Sequence, residues 1–168
     1  MNIPTNDWTY CTLWVTSATT STSKRQLEEM KRLKEELVDT EGSALSFNNH
    51  VPIPHELIDA YGKDNNDTQG LWEKTGYHYL HEFTYKEWGT PYDADDVRYS
   101  EDDSNNIMTY EFRTINGCPV AWLMELSIEF PSLMFDLECT NEMELFDSYT
   151  ITIIDGEQID IEYHKKQK

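Results

Sequence analysis

Residues 8–16 alternate along the chain, with Trp8, Tyr10, Thr12 and Trp14 interleaving Thr9, Cys11, Leu13 and Val15. Aromatic and β-branched types dominate, so the pattern predicts a strand. Apolar side chains fall on both of its faces, which suits a central position in a sheet. A Ser/Thr connection follows from Ser17 to Ser23. Ser23 with Gln26 three residues later forms a capping-box pattern. Leu27, Met30, Leu33 and Leu37 then recur at helical spacing and predict one apolar stripe. Lys24, Arg25, Lys31, Arg32 and Lys34 cover the other face among glutamates, and Gly42 is the expected stop.

The run Val51-Pro52-Ile53-Pro54 excludes a helix interior, because each proline biases its predecessor to extended geometry. His55–Tyr61 reads as a helical turn, Gly62–Gly70 as a polar loop and Leu71–Glu87 as a helix ended by Trp88-Gly89-Thr90-Pro91. Tyr92–Tyr99 and Ile107–Thr114 predict two strands, joined by the acidic loop Ser100–Asn106. Pro119 suits the first turn of a helix lined by Val120, Leu123, Ser127 and Phe130. Leu133–Cys139 predicts another strand, and Asn141–Asp147 an acidic connection. Asp155-Gly156, between Ser148–Ile154 and Glu157–Tyr163, is a two-residue hairpin signal, since both positions tolerate the positive φ of a type I′ turn. Ile159, Ile161 and Tyr163 alternate with Gln158, Asp160 and Glu162, which gives the last strand one wet face.

Without the helical insertion (about 48–87) and the C-terminal β-hairpin, the order is βαββαβ. It predicts an α+β fold class: a ferredoxin-like antiparallel sheet with helices on one face. The 168 residues fit a single domain with a core of its own. Five Trp and ten Tyr separate the chain from acidic disordered segments, which are poor in aromatics.

Charge narrows the partners. There are 32 Asp+Glu against 13 Lys+Arg, a formal net charge of -19. Nucleic-acid phosphates and anionic lipid repel such a protein, and basic surfaces attract it. No Lys or Arg occurs between Arg113 and Lys165, while carboxylates recur throughout. Glu125, Glu129, Asp136, Glu138, Glu142, Glu144 and Asp147 are the candidate partner-binding acidic surface. Met1–Asp7 has neither a basic n-region nor an apolar h-region, so no secretory leader is expected. Cys11, Cys118 and Cys139 read as free thiols of a reducing cytoplasm.

Chemistry-bearing patterns are sparse. His78, His81 and Glu82 would share one face of a helix, but their order matches no zinc-protease arrangement and no third ligand is spaced nearby. Asp64, Asn66, Thr68 and Gly70 imitate the start of a calcium loop; Gln69 then stands at its glycine position and Thr75 at its final Glu position. There is no Gly-x-Ser-x-Gly elbow and no phosphate-cradling glycine loop. The expectation is a non-enzymatic protein with no catalytic residues, no cofactor and no metal.

Several blocks together resemble a known set. These are Phe47 with Val51-Pro52-Ile53-Pro54-His55-Glu56-Leu57, Trp88-Gly89-Thr90-Pro91-Tyr92-Asp93-Ala94, Phe112-Arg113-Thr114, and Pro119 to Trp122 with Phe130-Pro131. They resemble the Api92-like (YubB-type) proteins of phages and plasmids over roughly residues 5–140. Trp88, Gly89, Thr90, Asp93, Pro119 and Trp122 carry the motif. Members usually have a basic or polar residue and then Trp where this chain has Pro91 and Tyr92. The resemblance implies a ferredoxin-like domain and a mobile-element origin, and brings no catalytic residues. By size alone, Trp88, Tyr92, Phe112 and Trp122 are core or core-rim residues, and Gly89 allows a backbone to approach a ring.

The expected function is that of an acidic phage or mobile-element accessory protein in the host cytoplasm. It would bind a basic, nucleic-acid-binding host protein as a host-defence inhibitor of anti-CRISPR or anti-restriction type, mimicking nucleic acid. One alternative is a small-ligand binder or enzyme with a pocket near Trp72–Trp88. Another is a structural protein that self-assembles through the sheet or the hairpin edge.

Overall fold

The computed structural model describes residues 7–64, 67–141 and 148–165. The chain runs β1 (Trp8–Ser17), α1 (Lys24–Leu37), α2 (Phe47–His50), α3 (His55–Ala60), α4 (Thr68–Thr75), α5 (Leu80–Glu87), β2 (Asp95–Asp102), β3 (Ile107–Ile115), α6 (Val120–Glu129), β4 (Leu133–Asn141), β5 (Tyr149–Ile154) and β6 (Glu157–Tyr163). The six strands form one antiparallel sheet in the order β2-β3-β1-β4-β5-β6. Each helical connection skips a strand. β3 lies between β1 and β2, and β1 lies between β3 and β4. The protein is α+β, and the alternation of burial along its strands sets the two faces of the sheet apart.

One face is the core. Cys11, Leu13 and Val15 of β1 point there with Met108, Tyr110 and Phe112 of β3 and Leu133, Phe135 and Leu137 of β4. Met30, Leu33 and Leu37 of α1 and Trp122, Leu123 and Leu126 of α6 pack against them. The alternating burial of β1, β3 and β4 leaves the intervening residues on the opposite face.

Four local expectations change. In α1, Leu27 is 46 % exposed and Gln26 is buried in its place. The capping box turns Gln26 inward, where its amide accepts from the Ser23 backbone N–H and donates to the Ser132 carbonyl and the Thr19 hydroxyl. A fully bonded amide can be buried without penalty. The helix expected over Leu71–Glu87 is two helices. Gly76 adopts φ 81 and caps α4, its N–H donating to the Trp72 carbonyl at 2.8 Å. β2 begins at Asp95 rather than Tyr92, because Asp93 is spent on another contact; a register shift between Asp95 and Arg98, with Asp96 at φ 51, then interrupts the ladder. Tyr92 remains 46 % exposed beside the His81 ring.

The Asp155-Gly156 turn forms as read, with φ 48 and 74. Its Gly156 N–H donates to the Ser127 hydroxyl at 2.8 Å, which ties the hairpin to α6.

The cysteines differ from the expectation of free thiols. Cys118 and Cys139 are joined in a disulfide, and only Cys11 is free. The fold brings together residues 21 positions apart in sequence, and no local spacing signals that approach.

Candidate functional site

The open face of the sheet carries its side chains in cross-strand rows. Register places Arg98, Glu111, Thr12, Glu138, Thr150 and Glu162 in one row from β2 to β6. The adjacent row holds Ser100, Thr109, Trp14, Asp136, Thr152 and Asp160. Asp136 and Glu138 on β4 and Asp160 and Glu162 on β6 therefore form the corners of a rectangle. Residues two apart on a strand are about 7 Å apart, and strands two apart are about 10 Å apart. Thr150 and Thr152 fill the space between, and the Thr152 hydroxyl donates to Asp136 at 2.5 Å.

The arginines of this face sit at its other end and are already paired. Arg98 lies 3.6 Å from Asp96 and Arg113 lies 2.6 Å from Asp95. Arg113 also covers the Trp8 ring at 4.2 Å. The β4–β6 end of the face is thus anionic and rich in hydroxyls, on a rigid ladder. It can meet an array of cationic groups, and the Thr150 hydroxyl lies 2.9 Å from His164 Nε2.

The structure divides the carboxylates singled out from sequence. Asp136 and Glu138 belong to the open face. Glu125 and Glu129 lie on α6, which packs on the core side, so their exposed side chains belong to the opposite layer. Glu129 instead lies near Glu36 and His50, with ligand atoms within 4.8 Å of one another. His50 Nδ1 is 2.9 Å from Glu36 Oε1. Glu142, Glu144 and Asp147 lie outside the described residues. Asp160 and Glu162 join Asp136 and Glu138 in space although twenty or more positions separate them in sequence. The period-2 wet face of residues 158–162 was the available signal, and strand pairing was the missing part.

The motif residues build the scaffold. The Trp88 indole N–H donates to the Val51 carbonyl at 2.9 Å. Thr90 donates to the Ile115 carbonyl at 2.8 Å. Gly89, at φ 89, approaches a backbone rather than the expected ring: a Cβ there would lie 2.6 Å from the Cys118 carbonyl oxygen. Pro119 precedes α6, and its carbonyl accepts from the Leu123 N–H. Trp122 is fully buried, 4.7 Å from the Phe47 ring. Asp93 caps the insertion, accepting from the Ser46 hydroxyl and the Phe47 N–H at 2.6 Å each and from the Ala94 N–H at 2.7 Å. Asp93→Ala removes these acceptors at once. Loss of a cap costs about 0.5–2 kcal/mol, and stranded donors add about 1–3 kcal/mol. A thermal melt of this variant is expected to fall by several degrees, and Asp93→Asn by less.

The His78, His81 and Glu82 group does not converge. α5 starts at Leu80, so His78 precedes the helix and bonds Glu82 through both its backbone N–H and its ring. The backbone bond from His78 holds the Glu82 carboxyl below the usual range. His81 packs between Tyr61 and Tyr92. The groove beside the insertion, lined by Leu57, Tyr61, Leu71, His78 and Leu80, measures about 120 Å³. Ligand pockets ordinarily occupy some 300–1,000 Å³; this groove is smaller, and a second groove of about 360 Å³ lies beside it, lined by Ala60, Asp67, Gly70, Leu71, Glu73 and Lys74.

No family model and no curated protein sequence matches the chain. Among solved structures, the crystal structure of the protein Api92 from Yersinia pseudotuberculosis, described with the family model DUF1281, is similar at a TM-score of 0.59. Sequence identity is 11 %, with 97 % of this chain and 99 % of that one covered. The two chains share a fold over almost their whole lengths. Among the described residues, no helix is long and apolar enough to cross a membrane.

Proposed function

We propose that the chain is a non-enzymatic accessory protein of a phage or other mobile element, and that it occupies a basic, nucleic-acid-binding host protein through the open face of its sheet. The observation that carries this reading is the rectangle of Asp136, Glu138, Asp160 and Glu162 on three paired strands. Ten ångströms of duplex axis carry about six phosphates, so four carboxylates in a patch of that length present the same sign at a comparable, lower density. Threonine hydroxyls between them add neutral hydrogen-bonding groups. Because the carboxylates stand on a ladder, they need little ordering when a partner docks. The role is that of a host-defence inhibitor of anti-CRISPR or anti-restriction type, acting as a nucleic-acid mimic. The blocks resembling the phage and plasmid family support the mobile-element origin.

The test uses the full-length chain as bait in bacterial lysate at low and high salt. A basic nucleic-acid-binding protein is expected in the low-salt fraction and is lost at high salt, because exposed charge pairs are screened. Combining Asp136→Asn, Glu138→Gln, Asp160→Asn and Glu162→Gln is expected to weaken capture by at least about tenfold, within reach of a few exposed pairs. Glu125→Gln with Glu129→Gln leaves it unchanged. Capture that ignores salt, or that survives the fourfold change, would sink the reading.

A further inference from the structure

The chain's three cysteines are widely separated in sequence and meet at one point in the fold. Cys11 lies on central strand β1, and Cys139 stands directly opposite it on β4. Cys118 lies in the loop between β3 and α6, bonded to Cys139. Cys11 Sγ is 3.9 Å from Cys139 Sγ and 3.9 Å from the Thr114 hydroxyl oxygen. All three sulfurs lie within 4.8 Å of one another. A tetrahedral ion with metal–sulfur bonds of about 2.3 Å holds its sulfurs about 3.8 Å apart. The Cys11–Cys139 separation already has that value, so only Cys118 must move once the disulfide is opened.

We propose that Cys11, Cys118 and Cys139, in the reduced chain, form a three-sulfur binding site for one soft divalent d10 cation of the zinc and cadmium class. Thiolates select such ions over the hard cations that carboxylates prefer. The Thr114 hydroxyl donates to the Gly117 carbonyl at 2.5 Å. Its oxygen lone pairs therefore remain for the fourth position, beside Cys11. The loop that brings Cys118 is held in place independently of its sulfur, by the close backbone packing of Gly89 against Cys118 and of Gly117 against Gly89. Cys11 and Cys139 are 3 % and 1 % exposed, whereas Cys118 is only partly buried and gives the ion its way in. The sulfurs bind the cation as thiolates, so it releases protons as it binds.

Opening the Cys118–Cys139 bond consumes two electrons and two protons. In the experiment a phosphine reductant supplies the electrons and leaves as its oxide, with oxygen taken from water. Reduced full-length protein, freed of reductant under inert gas, is titrated with Cd²⁺ while the near-ultraviolet thiolate-to-cadmium absorption is followed. One Cd²⁺ per chain is expected, with the absorption of three thiolates. Cys11→Ser and Cys11→Ala are expected to lose about a third of that absorption and at least about tenfold in affinity, the lower end of what supporting groups around a metal contribute. A second readout needs no variant: in wild type, one equivalent of Cd²⁺ protects Cys118 from alkylation. Three outcomes would overturn the proposal. The first is no thiolate absorption on titration. The second is full absorption and affinity in both Cys11 variants, which marks a two-sulfur clip. The third is alkylation of Cys118 that one equivalent of Cd²⁺ leaves unchanged.

Discussion

Trp122→Ala is expected to be among the most damaging single substitutions in this protein, costing about 3–5 kcal/mol, the range for truncating a buried large aromatic. Trp122 is fully buried at the start of α6, where its ring meets Phe47 at 4.7 Å. Phe47 in turn touches Trp88 and Phe112. These four rings join α6, the insertion and β3, so the cavity would open where three parts of the chain meet. Urea unfolding measures the effect as a lower midpoint at unchanged slope. The Trp122 indole nitrogen is buried without an acceptor among the described residues. Trp122→Phe removes that unpaired donor and keeps most of the ring contact, so its cost should be less than half that of the alanine. A midpoint for Trp122→Ala within the error of wild type would show that the four rings do not form one packed unit.

Gly89→Ala is the second large effect. Two costs add. An L-residue in the left-handed region loses about 1–2 kcal/mol, and Gly89 has φ 89. Overpacking adds about 1–3 kcal/mol, because the new Cβ would stand 2.6 Å from the Cys118 carbonyl oxygen, a backbone atom that cannot swing aside. Gly42→Ala is the matched control. Gly42 has φ 93, and nothing lies within 4 Å of its Cβ position. It carries the conformational cost alone. The difference between the two midpoints measures the backbone approach; equal midpoints would mean that the loop yields freely.

Signals contained in a few adjacent residues were legible in the sequence. Asp155-Gly156 specifies its own turn through positive φ, and Ser23 with Gln26 specifies the start of α1. β1 and β4 were legible as strands, but which of their faces turns inward shows only in the fold. The α+β class follows from such local pieces. What depends on strand pairing was hidden. Glu125 and Asp136 are close in sequence and lie on opposite sides of the sheet, while Asp136 and Asp160 share a row. A charge-rich stretch of chain therefore looked like one surface and is two. The disulfide was hidden for the same reason, since its loop and its strand meet only when β4 docks beside β1. Gly76, whose left-handed conformation ends α4, divides the helix expected over Leu71–Glu87.

The place of β1 at the centre of the sheet has a consequence for synthesis. It leaves the ribosome ahead of both of its neighbours, and they come late: β3 ends at Ile115 and β4 at Asn141. At about 5–20 residues per second, Trp8 to Val15 wait several seconds or more for their first partner and longer for the second. Until then the strand offers two unsatisfied edges and a run of aromatic side chains. The strongly anionic charge of the growing chain keeps copies on one polysome apart during that interval. β1 gains its second neighbour only once Asn141 has been made, and β5 and β6 extend the sheet after that.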